Sequence, residues 1–93
     1  MNNVTESILN SGARNTVEQF INASREFVVK AKSIAGDSGF LNRMVNDVVE
    51  SWRAAEQSDC EYAAYRACLA AEHHYNNIEG LKSGRIKISD LMR

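Results

Sequence analysis

The chain contains no proline, and its five glycines are Gly12, Gly36, Gly39, Gly80 and Gly84. Without proline nothing fixes a break inside a helix, whereas glycine favours the residue just past a helix and weakens helix interiors. The glycines therefore read as punctuation between helical segments at 4 to 11, 15 to 35 and 40 to 79, followed by a short tail. Capping pairs support these starts: Asn3 with Glu6 and Asn15 with Glu18 both fit a box in which the cap accepts from a free amide and the Glu reaches back.

The segment after Asn15 carries Val17, Phe20, Ile21, Ser24, Phe27, Val28, Ala31, Ile34 and Ala35 within about 140° of helical arc. That is one apolar stripe. Past the turn "GDSG", Leu41, Met44, Val45, Val48, Trp52 and Ala55 repeat at threes and fours, with Trp52 the bulkiest anchor. Further on, Cys60, Ala64, Ala67, Cys68, Ala71, Tyr75 and Ile78 form a stripe of mostly small residues. Carried through in helical phase, this last stripe is centred about 130° from the one before it, so an unbroken helix would turn its core face away from its own bundle. Forty residues of helix would also span about 60 Å, roughly twice the diameter of a compact domain of this size. "SDCE" supplies another capping box, Ser58 with Glu61, and a break is expected at 57 to 59.

The expected fold is all-α: a small bundle on a helical hairpin, with helices near 15–35, 40–57 and 58–79, a short N-terminal helix, and a basic C-terminal arm over 80–93. The chain of 93 residues is read as one domain. It is near the lower size limit for an independent core, so association into a dimer or higher oligomer would help it. No stretch has the eighteen or so apolar residues of a membrane span, the start lacks the pattern of a signal peptide, and a cytoplasmic location is expected. In the tail, Ile86 and Ile88 alternate with charges, a weak strand signal, and Ser89 is placed to cap a last helical turn.

Chemistry is suggested only by "CLAAEHHYNN", residues 68 to 77. On a helix centred on Ala71, Glu72 projects at about 100°, His74 at about -60° and His73 at about -160°, so three neighbours point three ways. Helical metal sites need ligands three or four apart. Cys68 with Glu72 is the nearest approach, and no second pair matches it. His74 is expected to border the core and His73 to face solvent or a partner. Cys60 and Cys68 read as small core-facing residues whose burial raises the thiol pKa rather than activating a nucleophile. Eight residues of helix between them are a rise of about 12 Å, too far for a disulfide. "GDSG" is a turn, and no phosphate-binding glycine motif occurs. No catalytic residue, metal site or cofactor is expected.

Charge is distributed unevenly. Residues 48 to 81 carry two cations and six carboxylates, whereas residues 82 to 93 carry four cations and one carboxylate. Lys82, Arg85, Lys87 and Arg93 make the tail a charge-complementary arm for acidic helices of the same or a neighbouring protomer, or for an acidic partner. Without interleaved aromatics these cations are a poor nucleic-acid signature. The other unusual feature is Tyr62, Tyr65, Arg66, Leu69 and His73 on the face of the last helix opposite its alanines. These residue types are frequent at protein interfaces, although the same pattern arises where a central helix is covered on both sides. The expected function is non-catalytic: a binding protein that occupies a surface of another macromolecule as an inhibitor, an immunity or phage-type anti-defence factor, or an adaptor. One alternative is sequestration of a small molecule or nucleotide in a pocket between protomers, built from Arg66, His73, Tyr65 and tail cations. Another is a nucleic-acid accessory protein using the arm.

Overall fold

The computed structural model describes residues 3–12 and 14–91. It is a small helical bundle in which α2 (Thr16–Ala35), α3 (Gly39–Glu56) and α4 (Glu61–Ser83) pack against one another, with short α1 (Val4–Asn10) lying on α2 and α4. A four-residue α5 (Ile88–Leu91) ends the described chain, and no strand occurs among the described residues. The ring of Phe20 meets that of Tyr65 and Phe27 meets Tyr75, so α2 and α4 run parallel, with α3 returning between them. Among the described residues no helix is long and apolar enough to cross a membrane.

The three stripes meet as periodicity requires. Phe20, Phe27, Val28 and Ala31 of α2, Leu41, Val45 and Val48 of α3, and Ala64, Cys68, Ala71 and Ile78 of α4 form one buried cluster, with Met44, Trp52 and Tyr75 packed at its edge. Because the α4 stripe is alanine and cysteine from Ala64 to Ala71, the bulk opposite that stretch comes from α2 and α3 and the α4 backbone can approach closely, while Ile78 adds a large buried side chain nearer the helix end.

The break falls where the mismatch of helical phase put it, but the cap differs. Ser58 donates its hydroxyl to the Ala54 carbonyl and so completes the end of α3. Extended Cys60 takes the N-cap of α4, its Sγ accepting from the Ala63 amide at 3.4 Å. Cys60 is therefore exposed rather than part of the core stripe. Asn3 caps α1 as expected, accepting from the Glu6 amide at 3.0 Å. Asn15 stands at the N-cap of α2 without a side-chain bond. Its ψ of 54° lies outside the extended region that aims a cap oxygen at the first amides. Ser38, which no capping box singled out, caps α3 by accepting from the Leu41 amide, and Asn42 ties the turn by donating to the carbonyls of Gly36 and Ser38.

The tail departs most from expectation. Gly80 does not end α4: the helix continues to Ser83 and stops at Gly84, whose φ of 83° is the left-handed conformation glycine favours. Gly80 is buried, and a Cβ there would run into the Ile86 side chain. The Ile86 amide also donates to the Gly80 carbonyl at 3.0 Å. The tail thus folds back onto α4 instead of extending, and Asp90, not Ser89, accepts from the Lys87 amide at the start of the last turn.

Candidate functional site

The groups that looked most like chemistry are turned to a structural task. Cys68 and Glu72, four residues apart, do share a side of α4, and what lies between them is Thr5 of α1. The Glu72 carboxylate accepts from the backbone amides of Val4 and Thr5 at 3.0 and 3.1 Å and from the Thr5 hydroxyl at 2.7 Å. Both Glu72 and Thr5 are buried, Thr5 completely. A carboxylate placed on the first free amides of a helix satisfies orphan donors and faces the positive end of the helix dipole, which is how a buried charge becomes tolerable here.

Beneath it, Thr5 Oγ1 lies 3.3 Å from Cys68 Sγ, and the Ser24 hydroxyl donates to the Phe20 carbonyl at 2.8 Å. Burial pushes the Cys68 thiol up; the Thr5 and Ser24 hydroxyls oppose the rise and Glu72 adds to it. A neutral, buried thiol is a packing group rather than a nucleophile. Tyr75, set against Phe27, is likewise pushed up, first by burial and then by Glu79.

With Glu72 committed inward, the two histidines remain outside. His73 is exposed and His74 half-buried, and their rings are 5.8 Å apart and tilted. Among the described residues no group of three or more His, Cys, Asp or Glu side chains comes together as metal ligands would.

The face of Tyr62, Tyr65, Arg66, Leu69 and His73 borders α1, which runs antiparallel to α4 from Glu72 toward Tyr62, and opens into two recesses at different levels of α4. Nearer Glu72, Arg66, Leu69 and His73 line a groove of about 380 Å³ together with Asn3, Ala70, Glu72 and Asn76. Nearer the start of α4, Tyr62 and Tyr65 line a mainly apolar recess of about 440 Å³ with Leu9 and Glu61. Tyr65 stands edge-on to Phe20 at 5.8 Å and is half-buried, as is Leu69. Tyr62, at 68% exposure, is the most open large hydrophobic side chain among the described residues, with Arg66 and His73 also exposed. Leu9 and Asn3 were missed by sequence reasoning because they join the face only through the docking of α1.

The arm cations are placed at the far end of the bundle. Lys82 belongs to the last turn of α4, and Arg85 donates from Nη2 to the Asn76 carbonyl at 3.3 Å. Lys87 opens the last turn through its amide, and Arg93 lies outside the described residues. Lys82 also lines a recess of about 340 Å³ with Ser38, Phe40, Leu41, Leu81, Ile86 and Ile88. Compared with models of protein families, with curated proteins and with solved structures, the chain matches none of them.

Proposed function

We propose that this protein is a non-catalytic binding module that acts by covering a surface of another protein, as an inhibitor, immunity or anti-defence factor, or adaptor does, and that it works as a homo-oligomer inside the cell. The observation that carries this reading is the outer face of α4, where Tyr62, Arg66 and His73 stand exposed around half-buried Leu69. An aromatic with a polar tip, a guanidinium and an imidazole around an aliphatic centre make up the composition that dominates protein contacts. Charge at the rim sets orientation and on-rate rather than affinity. The buried Glu72 and Cys68 support the same reading, since each is already engaged in holding α1.

The groove beside Asn3 supports a second reading, capture of a small anionic ligand by Arg66 and His73 with Asn76 as a hydrogen-bonding neighbour. Of the tail cations, Arg85 reaches back within the same protomer to the carbonyl of Asn76 at the groove's edge, whereas Lys82 lies in the last turn of α4. The two readings separate in one experiment. The tagged protein is isolated with its partner from the native host, the intact complex is weighed, and the isolation is repeated with Arg66→Glu and His73→Glu. The first reading expects a stoichiometric protein complex that persists in about 1 M salt, where charges are screened within about 3 Å, and that the substitutions abolish. A complex indifferent to both changes removes this face from the function. Thermal stabilisation by an anionic metabolite, lost in Arg66→Glu, would favour the second reading.

A further inference from the structure

The two ends of the bundle are unlike each other in a way its own folding does not require. One end gathers the C-termini of α2 and α4, the N-terminus of α3 and the folded-back tail. Phe40 is 41% exposed there and Ile88 51%, beside the recess that Lys82 helps to line. Within two turns of that end, and along the tail to Leu91, the sequence carries six cations and three carboxylates. At the opposite end are the start of α2 and the α3–α4 connection, with Leu9 40% exposed and Tyr62 more open still, beside the recess that Glu61 lines. The same span there holds three cations and five carboxylates, with Glu56, Asp59 and Glu61 inside six residues.

Helix dipoles account for part of this, since Lys82 sits in the last turn of α4 and Glu61 in its first. They account for less in α3, whose last turn holds Arg53 with the dipole and Glu56 against it, and Arg85 and Lys87 lie beyond any long helix.

We propose that copies of this chain associate head to tail, the apolar, basic Phe40–Ile88 end of one seated on the apolar, acidic Leu9–Tyr62 end of the next. This rests on the self-association included in the function proposed above and names its two surfaces. Each end exposes apolar side chains beside a recess, and their charges are opposite in sign. Pairing like ends would set cation against cation or carboxylate against carboxylate, which is costly at an interface. Joining unlike surfaces leaves a free copy of each at the ends of the assembly, so growth continues until a ring closes or a filament forms. The neighbouring copy would take Tyr62 from the outer face of α4, whereas the groove of Arg66, Leu69 and His73 lies on its flank and stays open for a different partner.

The test is mass against concentration for the full chain at low salt, by sedimentation and light scattering. Wild-type mass is expected to rise past that of a dimer and to fall back on adding about 1 M salt. Lys82→Glu with Lys87→Glu, and separately Asp59→Lys with Glu61→Lys, should raise the concentration needed for assembly on the order of tenfold or more. All four positions are exposed, and helical circular dichroism verifies the fold of each variant. The decisive arm mixes the two double variants: each has two ends of one sign, so together they should assemble in alternation while neither does alone. Phe40→Ser should weaken assembly without charge change. A wild-type monomer at every concentration, a dimer indifferent to both charge reversals, or a mixture that stays dissociated would each overturn the proposal. Retention of the host partner by the charge-reversed monomers would separate this assembly from the binding function, and its loss only in Arg66→Glu would leave the assembly standing.

Discussion

Toward α2 and α3, helix α4 is held by apolar contact: Ala64, Cys68, Ala71 and Ile78 meet Phe20, Phe27 and Val48 with no exposed apolar surface to speak of. Toward α1 it is held chiefly by one carboxylate, with the Thr5 hydroxyl against Cys68 and Ile8 packed at the edge of the core. Glu72 receives three hydrogen bonds from two consecutive residues, while the only fully buried side chain of α1 is a threonine. The first attachment is non-directional and distributed over many atoms, so loss of one side chain weakens it in proportion to volume. The second is directional and concentrated, so it depends on a few atoms being in place.

The largest effect should come from the apolar side. Phe20→Ala removes a ring with no exposed surface that also supports Tyr65. It is expected to cost about 3–5 kcal/mol, enough to unfold much of a domain this small, measured by urea denaturation. Glu72→Ala should cost less, about 2 kcal/mol, the scale of hydrogen bonds to a charged group. Its signature should be local: amide exchange at Val4 and Thr5 accelerates while amides in the middle of α2 keep pace with global unfolding. If the α2 amides accelerate as much as those of α1, the two attachments are not separable. Thr5→Val keeps the shape and removes only the hydroxyl, with an expected loss of about 1 kcal/mol.

The cysteines sharpen the contrast through pH. With the folded Cys68 thiol pushed up by burial, the native state holds its proton where the unfolded chain has released it. That contribution is fully present below the unfolded thiol's value of about 8.5 and is lost as pH rises toward and through the higher folded one. The stability gap between wild type and Cys68→Ala should therefore shrink between about pH 8 and 10. A gap that widens would contradict the burial. Over the same range a thiol reagent should label Cys60 at once and Cys68 only on unfolding. The smallest change belongs to the surface: Tyr62→Ala should leave stability within about 0.5 kcal/mol, so any loss of partner binding or of self-association in that variant is a loss of contact.

Most of the apolar attachment was legible in the chain because it is periodic. Phe20, Phe27, Val28, Val45, Val48, Ala64, Cys68 and Ala71 could be assigned to a core from spacing alone, and the phase slip between two stripes located the α3–α4 break. The α1 attachment was not legible, since Thr5 and Glu72 are 67 residues apart and nothing local marks them as partners. Placing Glu72 at about 100° from Ala71 was correct in direction. What occupies that direction is decided by the turn after α1. The seat of Ile86 on Gly80 was hidden for a related reason, because a glycine inside a helix looks like a terminator until the side chain that needs its missing Cβ is known. At Cys60 the error was one of chemistry: sulfur is a poor cap, and Ser58 nearby looked better placed than it is.

That sulfur has a practical bearing. As the accessible thiol at the start of α4, Cys60 is the natural point for attaching a fluorophore or spin label. A thioether adduct there would crowd the amide that the free sulfur receives, and spectroscopy on such a conjugate would describe a helix whose first turn the label had already disturbed.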